Sequence, residues 1–131
     1  MLMSNQSKTK LLYGISISLF SAIFVFSALL TIIDVQGSYA EFQRLSFPTW
    51  LTYPTGIAKL LGVLAILKSK SRSLKDLAFA GFLYDLLLAL GAHIAVWDIL
   101  VLGPVISLVV WAFAFITDRQ YYESRVTVLQ E

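Results

Sequence analysis

Residues 11–33 read LLYGISISLFSAIFVFSALLTII, without one charged side chain. A bilayer hydrocarbon core about 30 Å thick is crossed by about 20 apolar residues in helix, so this stretch predicts a transmembrane helix. A signal peptide is the rival reading, with Lys8 and Lys10 as its basic flank and Ser38, Tyr39 and Ala40 resembling a cleavage site. Signal cores hold only about 7–15 apolar residues, and the run is much longer, so the spanning reading is preferred.

Three more segments follow. Residues 50–67 carry one charge, Lys59; residues 77–97 contain Asp85 and His93; residues 99–117 are uncharged, with Pro104 near their start. In lipid each segment must satisfy its own backbone hydrogen bonds, which makes helix the expected form. No run of short alternating strands suggests a barrel. Composition agrees, with 58% of the 131 residues hydrophobic and 14% charged, against about 25% charged in a soluble domain. The expected fold is all-α: one integral membrane four-helix bundle over residues 1–131. Pro54 and Gly56 lie near the start of the short second span and predict a tilt or kink there.

The connections differ in character. Asp98 follows Trp97 directly, which predicts a tight helical hairpin. Residues 68–76, KSKSRSLKD, form a short basic loop. The first loop is longer, and within it Tyr39, Phe42 and Leu45 recur at helical spacing around Glu41, Gln43 and Arg44. That pattern predicts a short amphipathic segment on the membrane surface.

Orientation follows from the cations. Lys8, Lys10, Lys68, Lys70, Arg72, Lys75, Arg119 and Arg125 fall on one side of the membrane, and Arg44 alone falls on the other. The positive-inside rule then places both termini in the cytoplasm. The net charge of +2 needs no nucleic acid, because topology accounts for the cations. The absence of cysteine excludes disulfides, thiol redox pairs and Fe–S clusters. The single histidine excludes bis-histidine haem ligation and leaves too thin a ligand set for a metal.

Small residues recur at Gly14, Ser18 and Ala22, at Ala58 and Gly62, and at Gly91 and Ala95. Such stripes predict close helix contacts in lipid. Nine Phe, six Tyr and three Trp either fill the core and face lipid or line an apolar pocket. Glu41 and Arg44 are then either solvated residues of the surface segment or a gate to that pocket.

Residues 48–67, PTWLTYPTGIAKLLGVLAIL, resemble the DoxX-like membrane proteins, in which a proline–aromatic pair leads into a "GIAKLLG" helix. Residues 74–82, LKDLAFAGF, are similar to the family's "LKEWAYAGF", and residues 91–98, GAHIAVWD, to its "GAxxSHxAxGD". Pro104 stands where the family often has a proline early in its last helix. The ordered set covers about residues 47–104. Ala92 stands where the family often has serine, and Trp97 where a glycine usually precedes the aspartate. The resemblance implies a four-helix bundle in a bacterial cytoplasmic membrane. Some relatives are subunits of a thiosulfate:quinone oxidoreductase and others belong to oxidative-stress complexes.

Lys59 lies eight residues before Leu67 and Asp85 eight after Leu77, each about 12 Å from the cytoplasmic end of its span. The spans are antiparallel neighbours, so the two charges are expected to pair. Buried charges of this kind mark proton or ligand sites, or fix helix register; Lys59 snorkelling to an interface is a third reading. His93, sixteen residues into its span, is expected at the outer level, near Tyr53 and Asp98. Lys59, Asp85, His93, Tyr53 and Asp98 are therefore the candidate ligand-binding or proton-exchanging residues, and no catalytic residue is assigned. The expected function is a redox-associated subunit binding a quinone or another apolar ligand, with no intrinsic cofactor and a redox partner protein. The alternative is a non-enzymatic assembly, chaperone or scaffold subunit. Lipid is the surrounding partner in either case, and a homodimer is compatible with both.

Overall fold

Asp34 stops the first helix and starts the second. The computed structural model describes residues 2–130, with side chains for residues 5–130. α1 (Leu2–Ile33) runs through the charge-free stretch, and α2 (Val35–Arg44) begins one residue later. The Asp34 carboxylate accepts the Gly37 N–H at 3.1 Å, capping an otherwise orphaned donor. α2 is the expected amphipathic segment. It ends in a turn at Ser46, whose φ of 64° reverses the chain.

A 3-10 turn, Thr49–Leu51, leads into α3 (Thr52–Lys68). Pro54 falls in the first turn of α3, where its missing N–H removes no intrahelical bond, and the helix continues unbroken through it. The entry is shaped by the 3-10 turn, not by a proline kink. α4 (Arg72–Ala95) begins at Ser71, whose hydroxyl accepts the Leu74 N–H. The basic loop is therefore shorter than expected, because the polar residues 72–76 are already helical. After the hairpin, Asp98 caps a 3-10 turn, Ile99–Val101, that opens α5 (Leu102–Gln130).

α1, α3 together with its 3-10 turn (Thr49–Lys68), α4 and α5 are each long and apolar enough to cross a membrane. They alternate in direction around a ring, α1 beside α3 and α5, and α4 beside the same two. Phe20 and Phe24 of α1 meet Phe82 of α4 at centroid distances of 5.0 and 4.5 Å. Ile17, Val63, Ile66, Phe79, Leu86 and Ala114 complete the core. Trp111 donates its indole N–H to the Phe79 carbonyl at 2.9 Å. Phe20, Phe24, Phe79 and Phe82 thus fill the core, with Trp111 and Phe115 packed against it.

Two helices outrun the bilayer. α1 has 32 residues, as does the helical stretch Ile99–Gln130, about 48 Å at helical rise against a core of about 30 Å. The apolar sequence ends near Leu11 and Thr117, but the helices continue because they still pair. Tyr13 stacks on Tyr121 at 4.7 Å, and the Gln6 amide donates to the Ser124 carbonyl at 3.4 Å.

The small-residue stripes need correction. A Cβ on Gly62 would meet the Phe82 ring at 2.7 Å, so Gly62 is a true contact point. Gly14 and Gly91 face open space, and Ser18, Ala22 and Ala95 are exposed. The reason is phase. The packed face of α1 is set by Ile17, Phe20, Phe24 and Ala28, and the 14–18–22 row is rotated by roughly a third of a turn from it.

Candidate functional site

Lys59 and Asp85 project from α3 and α4 towards each other. Nζ lies 3.6 Å from Asp85 Oδ2 and 3.5 Å from the Ser27 hydroxyl of α1. The lysine side chain is 18% exposed and the aspartate 35%, so both heads reach the surface of the bundle at this seam. It floors a groove of about 190 Å³ on the α3–α4 seam. Small residues, Ala58 and Gly62 of α3 and Ala78 and Gly81 of α4, form the walls, with Phe82 at the back. Gly81 has nothing within 4 Å of where its Cβ would stand, so the groove reaches the α4 backbone. One donor head and one acceptor head thus converge on an apolar slot at mid-span depth.

The other candidates gather at the hairpin end. His93 is buried, and its Nδ1 lies 3.2 Å from Asp98 Oδ2. Arg44 of α2 reaches the same oxygen at 2.5 Å and Glu41 at 2.5 Å. Asp98 Oδ1 accepts the Leu100 N–H at 2.6 Å. That backbone bond, followed by the Arg44 and His93 contacts, holds the Asp98 carboxyl below its ordinary range. The Arg44 hydrogen bond does the same for Glu41, and the two carboxylates in turn hold Arg44 firmly charged. Ligand atoms of Glu41, His93 and Asp98 lie within 4.8 Å of one another. The Arg44 guanidinium already bridges the two carboxylates, so a metal ion there would have to displace it. The cluster works as a latch tying α2 to the α4–α5 hairpin.

A cleft beside His93 is lined by Ile94, Trp97, Asp98, Ile99 and Val101, without Tyr53 or Phe42. Tyr53 is 45% exposed on the outside of α3. Trp97 has a φ of 53° and is 94% exposed. That backbone state suits glycine, the residue the resembling family usually has there.

One cluster escaped the sequence reading. Asp118 of α5 is buried, and Arg72 of α4 pairs with it and with Asp76, the latter at 2.6 Å. Arg119 adds a contact to Asp76 at 3.5 Å. A carboxylate directly after an apolar span, opposite an arginine before another, is the signal that could have found it.

Four antiparallel spanning helices define a small polytopic membrane protein with a charged groove on its α3–α4 seam. A model of the DoxX-like family matches residues 15–117, and the chain belongs to that family. No curated protein and no solved structure matches it.

Proposed function

We propose that this DoxX-like protein is a redox-associated membrane subunit that holds the head ring of a quinone, or of a comparable apolar carbonyl ligand, in the α3–α4 groove. The observation that carries the reading is the convergence of Lys59 and Asp85 on that groove. Its volume is below the about 300–1,000 Å³ of pockets that enclose a drug-sized ligand, which suits a head ring whose tail stays in lipid. Lys59 is a donor for a carbonyl oxygen, and Asp85 is an acceptor for a hydroxyl. A bound quinone would supply two-electron carrier chemistry, while this chain binds and orients it. With no cysteine, the chain has no thiol pair to pass electrons, so a partner protein is the donor.

The eight-to-one division of cations supports a cytoplasmic placement of both termini in a bacterial cytoplasmic membrane. Thermal unfolding with and without ubiquinone or menaquinone tests the ligand. Quinone should raise the unfolding temperature of the wild type and leave Lys59→Met unmoved; equal shifts in both would reject the groove.

A second reading, a scaffold or assembly subunit, is favoured by the outward row of Gly14, Ser18 and Ala22. Such a row admits a partner helix or a second copy of this chain. Loss of self-association or partner capture in Gly14→Leu, with no quinone shift in the wild type, would favour it.

A further inference from the structure

The end of the bundle that carries the chain termini holds a second cavity, of about 300 Å³, remote from the Lys59–Asp85 groove. It lies between α1, the α3–α4 loop, the first turn of α4 and the extension of α5 beyond the hydrocarbon. Four cations line it, Lys70, Arg72, Lys75 and Arg125, with Asp118 as the single carboxylate among the described residues.

The charges do not cancel. Asp118 and Asp76 are both engaged by Arg72, and Asp76 by Arg119 as well. Lys70, Lys75 and Arg125 form no ion pair among the described residues, although they surround one cavity. Their neighbours keep some of this charge in place. The Arg125 guanidinium sits 5.6 Å over the Tyr121 ring, which is itself stacked on Tyr13. Arg72 is held by its two carboxylates and lies 5.0 Å over Tyr122. Bringing three unneutralised cations to one cavity costs repulsion unless an anion is present. The tyrosine hydroxyls add donors beside them.

Depth decides the chemistry. The cavity opens just past Thr117, where the apolar run of α5 ends and its tyrosines begin. That is headgroup level, and basic pockets between helices at this level bind anionic lipid heads. We propose that this cavity binds a phosphate group, that of an anionic glycerophospholipid, through Lys70, Lys75 and Arg125. The site is independent of the quinone reading, since it shares no residue with the α3–α4 groove.

The test uses the full chain in neutral detergent. Binding of short-chain phosphatidylglycerol, short-chain phosphatidylcholine and free glycerol phosphate is measured by native mass spectrometry. The wild type should prefer phosphatidylglycerol over phosphatidylcholine at least about tenfold, and Lys70→Gln with Lys75→Gln and Arg125→Gln should abolish that preference. A control with Lys8→Gln and Lys68→Gln removes charge at the same end but outside the cavity, and should keep it. Competition by glycerol phosphate at similar concentration would identify a soluble phosphate as the ligand of the same site, and its failure to compete a lipid. Equal loss in the control means bulk charge, not a site, and overturns the proposal. So does an undiminished preference in the triple variant, or no preference in the wild type. Should the triple variant not fold, the exposed single change Lys70→Gln must weaken the preference on its own, and an unchanged preference there counts against the site.

Discussion

Lys59 Nζ stands 3.6 Å from Asp85 Oδ2 across the seam of α3 and α4. This is beyond the about 2.7–3.2 Å of a direct hydrogen bond, and both heads border an open groove. The pair therefore joins α3 to α4 at one level of the bundle. Removing one partner strands a charge near the bilayer centre. Lys59→Met or Asp85→Leu alone should destabilise by about 3 kcal/mol, and the double variant should recover most of that loss. Chemical or thermal unfolding in detergent measures all three. A double variant as unstable as the sum of the singles would mean that the residues do not interact.

Gly62 and Gly91 make opposite predictions although both belonged to small-residue stripes. Gly62→Val drives a side chain into the Phe82 ring and should destabilise by about 1–3 kcal/mol. A Cβ on Gly91 meets nothing within 4 Å, so Gly91→Val should stay within about 0.5 kcal/mol of the wild type. Comparable losses in both variants would mean that the α3–α4 packing is misassigned.

Trp97 holds a φ of 53° with its side chain almost wholly outside the bundle. A residue with a Cβ pays about 1 kcal/mol for that conformation, and glycine does not. Trp97→Gly should therefore stabilise the hairpin by about this amount in detergent, where the interfacial anchoring of tryptophan is not at stake. A lower unfolding temperature in the variant would show that the tryptophan packs against something.

The α2 latch predicts an acid response. Glu41 and Asp98 both have folded values below their ordinary ones, through the Arg44 hydrogen bond and the Leu100 N–H respectively. Groups shifted in this direction contribute stability above the unfolded value, near pH 4, and lose it as pH falls through the folded value. Protection of α2 amides, taken relative to α4 amides, should drop below about pH 4. In Arg44→Gln it should already be low at neutral pH. A relative protection that ignores pH would show that the latch holds α2 weakly.

Much of this was legible before any coordinates. The spans followed from apolar length, and the Lys59–Asp85 pair from equal helical distance to a common membrane face. The proximity of His93 to Asp98 follows from the depth of His93, sixteen residues into its span. What was hidden had physical causes. Apolar length measures the bilayer and not the helix, so the fourth span ends at Thr117 by sequence while α5 continues to Gln130, and apolar length alone does not mark Asp118 as buried. A stripe of small residues shows that a helix can approach a neighbour, but the phase of the large residues decides which face does so. That is why Gly62 packs and Gly14 does not. Arg44 pairing with Asp98 needed the turn at Ser46 and the hairpin at Trp97 together, and neither positive φ can be read from a serine or a tryptophan.

We propose a quinone head as the occupant of the α3–α4 groove. Gly81 lines that groove and has free space at its Cβ position, so Gly81→Leu should fill the slot and leave the fold intact. The decisive measurement is photo-crosslinking of a photoreactive ubiquinone analogue to the purified full chain, mapped by mass spectrometry. The account predicts saturable labelling of residues in α3 and α4 around Thr55, Ala58 and Ala78, competed by unlabelled quinone and lost in Gly81→Leu at unchanged unfolding temperature. Labelling that is absent, non-saturable, or undiminished in Gly81→Leu would contradict it.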